Sequence, residues 1–213
     1  MMRAYDELYL EDARRNLARM LDFIVYELKM ELNDFFKMFV KSKKAEEFEH
    51  GSSTVLAGKS GVELAYEVIE EQTGNQIRIE VNYPVERSRE YWLGWVLAYY
   101  QWYTAMSFKE IIDYVTLDEI LELYSPYHEM DIRQFVEKMN QLYLEAKKDT
   151  NLKILRKKAG LSLKVLSEIT GVPLRTLQQY EQRQKNINKA QVDYLIKLSK
   201  GLCCEVEAII EKV

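Results

Sequence analysis

A chain of 213 residues with 47% hydrophobic content is long enough for one sizeable core plus a small satellite domain, so two domains are expected. Only 8 Gly and 3 Pro leave little room for β-turns, and the richness in Leu, Glu, Lys, Met and Tyr favours helices, so the expected fold class is all-α. The formal charge of -4 hides a division: residues 151–213 hold 12 Lys+Arg against 6 Asp+Glu, a net of +6, which leaves 18 against 28, or -10, for residues 1–150. A basic end on an acidic body suits phosphate binding at that end and repels it at the other.

From the N-terminus, the chain turns acidic by Asp6 and Glu7, which is no start for a signal peptide, so a cytoplasmic location is expected. Leu17, Leu21, Phe23, Ile24 and Leu28 recur at helical spacing and predict a helix over 10–30; Phe35, Phe36 and Phe39 predict a second over 32–40. The Gly- and Ser-rich stretch 50–61 reads as a loop, closed by Ser60 as the cap of a helix over 62–71 with Leu64, Val68 and Ile69 inward. Ile77, Ile79 and Val81 alternate, but a lone strand has no sheet to join, so 76–81 is an extended connector. Further helices are expected over 88–106, 108–115, 117–124 and 132–146, with Ser107, Thr116 and Asp131 as caps, followed by a polar linker over 147–150.

The segment 90–104 is the most unusual of this body. Trp92, Trp95, Val96, Tyr99 and Tyr103 form a stripe that Leu93, Leu97 and Tyr100 widen, as expected of a central buried helix. Gly94 and Gln101 break it too soon for a membrane span. Core packing is one reading of these rings; the other is a ligand or partner face made by Trp92, Trp95, Tyr99, Trp102 and Tyr103.

Catalytic signatures are weak. His128, Glu129 and Asp131, or His50 with Glu46, Glu47 and Glu49, lack metal-ligand spacing, so no metal or cofactor is expected. Ala57-Gly58-Lys59-Ser60-Gly61 falls short of a phosphate loop, since the earlier glycine is Gly51 and no strand precedes it. With two His and no polar cluster, nothing pairs a nucleophile with a base, so no enzyme is expected.

Residues 155–181 carry two short helical patterns broken at Gly171. Ile154, Leu155 and Ala159 lead to Gly160, suited to the left-handed position that ends a helix. Ser162 caps a short helix through Leu166 and Ile169, Pro173 presets the start of the next, and Leu177 and Tyr180 mark its inward side. Small Ser167 sits where the two backbones cross, and Leu166 and Leu177 close the seam. Two helices joined by a tight glycine turn make a helix-turn-helix. Adjacent Cys203 and Cys204, an uncomfortable spacing for a disulfide, read as small core residues.

With Leu155-Arg156, Gly160-Leu161-Ser162, Leu166, Thr170-Gly171-Val172, Leu177, Tyr180-Glu181, Ile187-Asn188, the 195–202 helix and Val206-Glu207 in this order, residues 151–213 resemble the lambda repressor and Cro superfamily, the XRE-type regulators. The resemblance implies a five-helix DNA-binding domain over 151–213, behind a helical partner- or ligand-binding domain over 1–148. Its third helix would enter the major groove with Leu174, Arg175, Thr176 and Gln179 against base edges and Gln178 close by. Ser162, Gln182, Arg183, Lys185, Asn186, Asn188 and Lys189 would hold phosphates. Three polar positions of the family have become Leu163, Val165 and Ile169, and Arg183 stands where relatives often have glycine. Val165 and Ile169, four apart, would share one side of the second helix, so another part of the chain or a partner is expected to cover them and leave them with low exposure; scattered surface apolars are the other reading.

The runs 4–10, 57–65, 90–103 and 128–131 resemble the helical N-terminal region of little-characterised bacterial regulators, often encoded beside a putative toxin. That resemblance implies an antitoxin-like autorepressor, homodimeric, with double-stranded operator DNA and a toxin as partners. A protein-interaction module whose helix-turn-helix has lost strong DNA binding is the alternative.

Overall fold

The computed structural model describes residues 3–81 and 87–212, and every regular element among them is helical. The chain divides into two compact units, Met1–Ala146 and Lys147–Val213.

In the first unit, α1 (Leu10–Tyr26) packs along α5 (Gly61–Thr73) and along α6 (Arg89–Thr104). Local chemistry fixes their ends. Ser60 and Glu63 form a reciprocal capping box that starts α5, and Gly74, at φ 72°, ends it. Ser88 accepts from the Tyr91 N–H at 2.9 Å to start α6 and donates its own proton to Asp22 at 2.6 Å, which ties that start to α1. A Cβ on Gly94 would stand 2.6 Å from the Ala18 Cα and the Leu17 carbonyl oxygen, so only glycine permits the α1–α6 approach.

Short helices close the unit: α2 (Leu32–Phe39), α3 (Lys43–Glu49), α4 (Ser53–Leu56), α7 (Phe108–Ile112), α8 (Leu117–Glu122) and α9 (Tyr124–Tyr127), with α10 (Ile132–Ala146) last. Phe36, Phe39, Phe48 and Phe108 meet edge to face in one cluster.

Several boundaries differ from the sequence expectation. The helix expected to reach residue 30 ends at Tyr26, because Leu28 N–H and Met30 N–H turn back to the Phe23 and Ile24 carbonyls and Lys29 takes a left-handed φ of 56°. Within the expected loop 50–61 lies α4, and α3, capped by Ser42 and buried through Ala45 and Phe48, precedes it. The helix expected over 117–124 breaks after Glu122 and resumes as α9.

The stripe on α6 is also redirected. Leu93, Val96, Leu97 and Tyr100 face the core, and Trp92 and Trp102 are nearly buried, whereas Trp95, Tyr99 and Tyr103 are half-buried on the outer side with Tyr91. Apolar residues surround this helix, so spacing alone gave no direction.

The second unit contains five α-helices among the described residues: α11 (Asn151–Lys158), α12 (Leu163–Thr170), α13 (Leu174–Glu181), α14 (Val192–Leu202) and α15 (Val206–Ile209). Their core gathers Leu152, Leu166, Val172, Leu177, Tyr180, Ile187, Leu198, Leu202 and Ile209. Gly201 lets α14 lie against Thr170, whose methyl would be 2.5 Å from an added Cβ. Cys203 is not a core residue: it occupies the left-handed cap of α14 at φ 51° and is exposed, while Cys204 packs partly on the core. None of the described helices is long and apolar enough to cross a membrane.

Candidate nucleic-acid interface

The turn between α12 and α13 is built as its residues dictate. Ser162 caps α12, accepting from the Val165 N–H at 3.1 Å. Gly171 ends it at φ 68°, where any side chain would be strained. Thr170 accepts from the Val172 N–H at 3.3 Å and donates to the Leu166 carbonyl at 2.6 Å, and Ser167 donates to the Val172 carbonyl at 2.7 Å. Pro173, at φ -56°, stands at the N-cap of α13; it supplies no side-chain cap, but its carbonyl accepts from the Thr176 N–H at 2.9 Å and the Leu177 N–H at 3.1 Å and so starts the helix.

Leu177 and Tyr180 anchor α13 in the core, which turns Leu174, Arg175 and Gln178 to solvent and leaves Thr176 and Gln179 half-buried at the margin. A half-buried ion pair fixes the other end of this helix. Arg156 grips Glu181 with two hydrogen bonds, Nε to Oε1 at 2.6 Å and Nη2 to Oε2 at 2.8 Å, and gives a third to the Leu161 carbonyl at 2.8 Å. The carboxylate raises the guanidinium above its ordinary pKa. This bidentate clamp sets α13 relative to α11, and so aims the exposed edge of α13.

The residues expected to hold phosphates separate into two sets. Gln182, Lys185, Asn186 and Lys189 are exposed in the turn after α13, with Asn186 accepting from the Asn188 N–H at 2.8 Å; Ser162 is exposed at the start of α12. Arg183 and Asn188 are committed elsewhere. The Arg183 guanidinium donates to the Lys147 carbonyl at 2.7 Å and the Lys148 carbonyl at 3.3 Å, and its backbone holds a left-handed φ of 54°, consistent with the glycine usual at this place. The Asn188 amide closes a pair with the backbone of Glu211, whose N–H it accepts at 2.8 Å and whose carbonyl it donates to. Both side chains therefore brace the unit, while both residues stay exposed at its surface.

A second polar joint was missed by sequence reasoning. Glu211 is buried, accepts from Lys147 Nζ at 3.0 Å and from the Asn151 N–H at 2.7 Å, and Lys147 also donates to Asn151 at 2.7 Å. Its partners lie 60 and 64 residues away, so no local pattern announces it. The pair Arg156–Glu181 had a faint signal: each charge adjoins an apolar residue of the matched motif, Leu155 and Tyr180.

Low exposure was expected at Val165 and Ile169 and is not found: they are 39% and 58% exposed, while Leu163 packs against the core. The turn of α12 that buries Leu166 and Thr170 points its opposite side, where these two residues sit, to solvent.

The candidate metal groups belong to the first unit. His50 donates from Nδ1 to the Glu46 carbonyl at 2.8 Å and His128 to the Tyr124 carbonyl at 2.9 Å, which are ordinary turns of helix. Among the described residues no group of three metal-ligating side chains forms.

A short capped helix, a glycine turn and a second helix anchored on one side and polar on the other define a helix-turn-helix unit. Residues 152–207 match the family model described as helix-turn-helix, and the match supports a DNA-binding regulator with an XRE-type unit. No curated protein and no solved structure matches the chain.

Proposed function

We propose that the chain is a sequence-specific autorepressor whose α13 reads bases in the major groove, acting as a homodimer on two half-sites about 10 bp apart. The observation that carries this reading is the exposed edge of α13, Leu174, Arg175 and Gln178, held by the Arg156–Glu181 clamp in a unit of net charge +6 over 151–213. Arg175 suits two hydrogen bonds to guanine O6 and N7, Leu174 suits a thymine methyl, and Gln178 and Gln179 suit adenine N6 and N7, with Thr176 at the margin. Phosphate contacts fall to Ser162, Gln182, Lys185, Asn186 and Lys189, without Arg183 and Asn188.

Within this reading the N-terminal unit binds a protein partner, a toxin encoded in the same operon, and the cell compartment is the cytoplasm. The resemblance of residues 4–10, 57–65, 90–103 and 128–131 to antitoxin-like regulators supports it. The exposure of Val165 and Ile169 favours a second reading, in which this face of α12, with Leu163 at its base, serves a protein partner and strong DNA binding has been lost. The test is binding to the DNA upstream of the chain's own gene. Arg175→Ala is expected to cost about 1–3 kcal/mol there and to relax one base position. Unchanged affinity in that variant favours the second reading.

A further inference from the structure

The outer side of α6 carries an ordered series of rings and guanidinium groups. Tyr91, Trp95, Tyr99 and Tyr103 follow each other at a spacing of four, and the last three are half-buried. Arg14 lies over Trp95 at 3.3 Å and Tyr99 at 5.1 Å, and Arg3 lies over Tyr103 at 3.9 Å. Tyr, Trp and Arg are the side chains that dominate the centres of protein interfaces, because they give large contact area at little conformational cost.

This face has two unlike ends. At the N-terminal end of α6 a cleft of about 250 Å³ opens among Tyr91, Trp92, Trp95 and Tyr124. Along the C-terminal end runs the start of the chain: the Ala4 N–H donates to the Trp102 carbonyl at 3.0 Å and Trp102 Nε1 donates to the Tyr5 carbonyl at 2.9 Å. That segment leads to Leu8, 85% exposed, which continues at a spacing of three the series Arg14, Glu11 on α1. A large apolar side chain so bare stands at one end of the aromatic stripe, and an aromatic cleft of a size to take it stands at the other.

We infer that this face pairs with the same face of a second copy of the chain, the two α6 helices antiparallel and each Leu8 seated in the partner copy's aromatic cleft. A two-fold axis through the stripe near Tyr99 exchanges its ends, so one knob and one cleft give two identical contacts. The 16 residues of α6 span about 24 Å, enough to carry the knob and the cleft as separate contacts. The rim holds both signs, as self-pairing requires: exposed Glu11, which holds the buried Arg14 at 2.5 Å, and Arg133 with Asp131 at 3.0 Å, Arg133 being within electrostatic reach of Tyr99. A rim of one sign would repel its own copy.

The inference rests on the proposed reading of two half-sites for its purpose, and its test does not. Sedimentation of the full chain gives a dimer for the wild type. Leu8→Asp, at a position that the fold leaves bare, weakens the dimer by about a hundredfold, since each dimer loses the contact twice. Val192→Asp, at another exposed position but in the second unit, leaves the dimer intact, and both variants keep the wild-type circular dichroism spectrum. A wild type that is monomeric, as it would be if another protein occupied this face, overturns the proposal. So does a Leu8→Asp dimer as tight as the wild type, or a dimer that Val192→Asp dissociates instead. On DNA, Leu8→Asp keeps its affinity for a single half-site and loses it for two. Loss of all DNA binding by the wild type would strike the repressor reading and leave the sedimentation result standing.

Discussion

The two units balance apolar packing and polar bonds differently. The first packs its long aromatic helix, α6, along α1 in a large core of rings and methyl groups with one glycine crossing, and sets Arg19 on Asp22 and Glu27 beside it. The second has a core of nine buried hydrophobics and sets two polar joints against it: Arg156 on Glu181, and Lys147 with Asn151 and Asn188 on Glu211. A small domain buries a smaller fraction of its surface, so directional bonds carry more of its geometry. The difference matters for function, because those bonds connect α13 and the chain ends around it.

The comparison breaks most visibly at Glu211. Glu211→Ala strips the carboxylate from buried Lys147 and from the Asn151 N–H, and is expected to destabilise the second unit by about 3–5 kcal/mol. In a thermal melt followed by circular dichroism, the second unit should unfold early while the first keeps its transition. Loss of both transitions together would show that the units are not independent in stability.

In the first unit the matching weak point is apolar. Gly94→Ala places a methyl against the α1 backbone, which has no flexible atom to yield, and is expected to cost about 1–3 kcal/mol and to lower only the first unit's transition. Smaller effects sort the basic side chains after α13. Lys185→Ala is expected to weaken binding to all sequences and to flatten the salt slope by about one unit, as a phosphate contact does. Arg183→Ala is expected to leave that slope unchanged, because its guanidinium is held by the carbonyls of Lys147 and Lys148.

What the sequence made legible follows the range of the interactions. Caps and turns are local chemistry, so Ser60, Ser107, Thr116 and Ser162, and the glycine at 171, were placed correctly from residue type and spacing. The direction of α6 was not legible, since apolar residues on all sides leave no periodic signal; Gly94 and the half-buried series from Tyr91 decide it only once α1 is in place. The site divided in the same way. The exposed edge of α13 follows from the inward Leu177 and Tyr180, whereas the hydrogen bonds of Arg183 and Asn188 were not legible, because their partners, Lys147 and Glu211, lie tens of residues away.

The central claim is that α13 reads bases, and its most direct test is a titration of the chain's own upstream DNA by fluorescence anisotropy across a salt series. The account predicts that Arg175→Ala loses about tenfold or more in affinity there, with unfolding and non-specific binding unchanged. Equal affinity of wild type and Arg175→Ala on that DNA would contradict it.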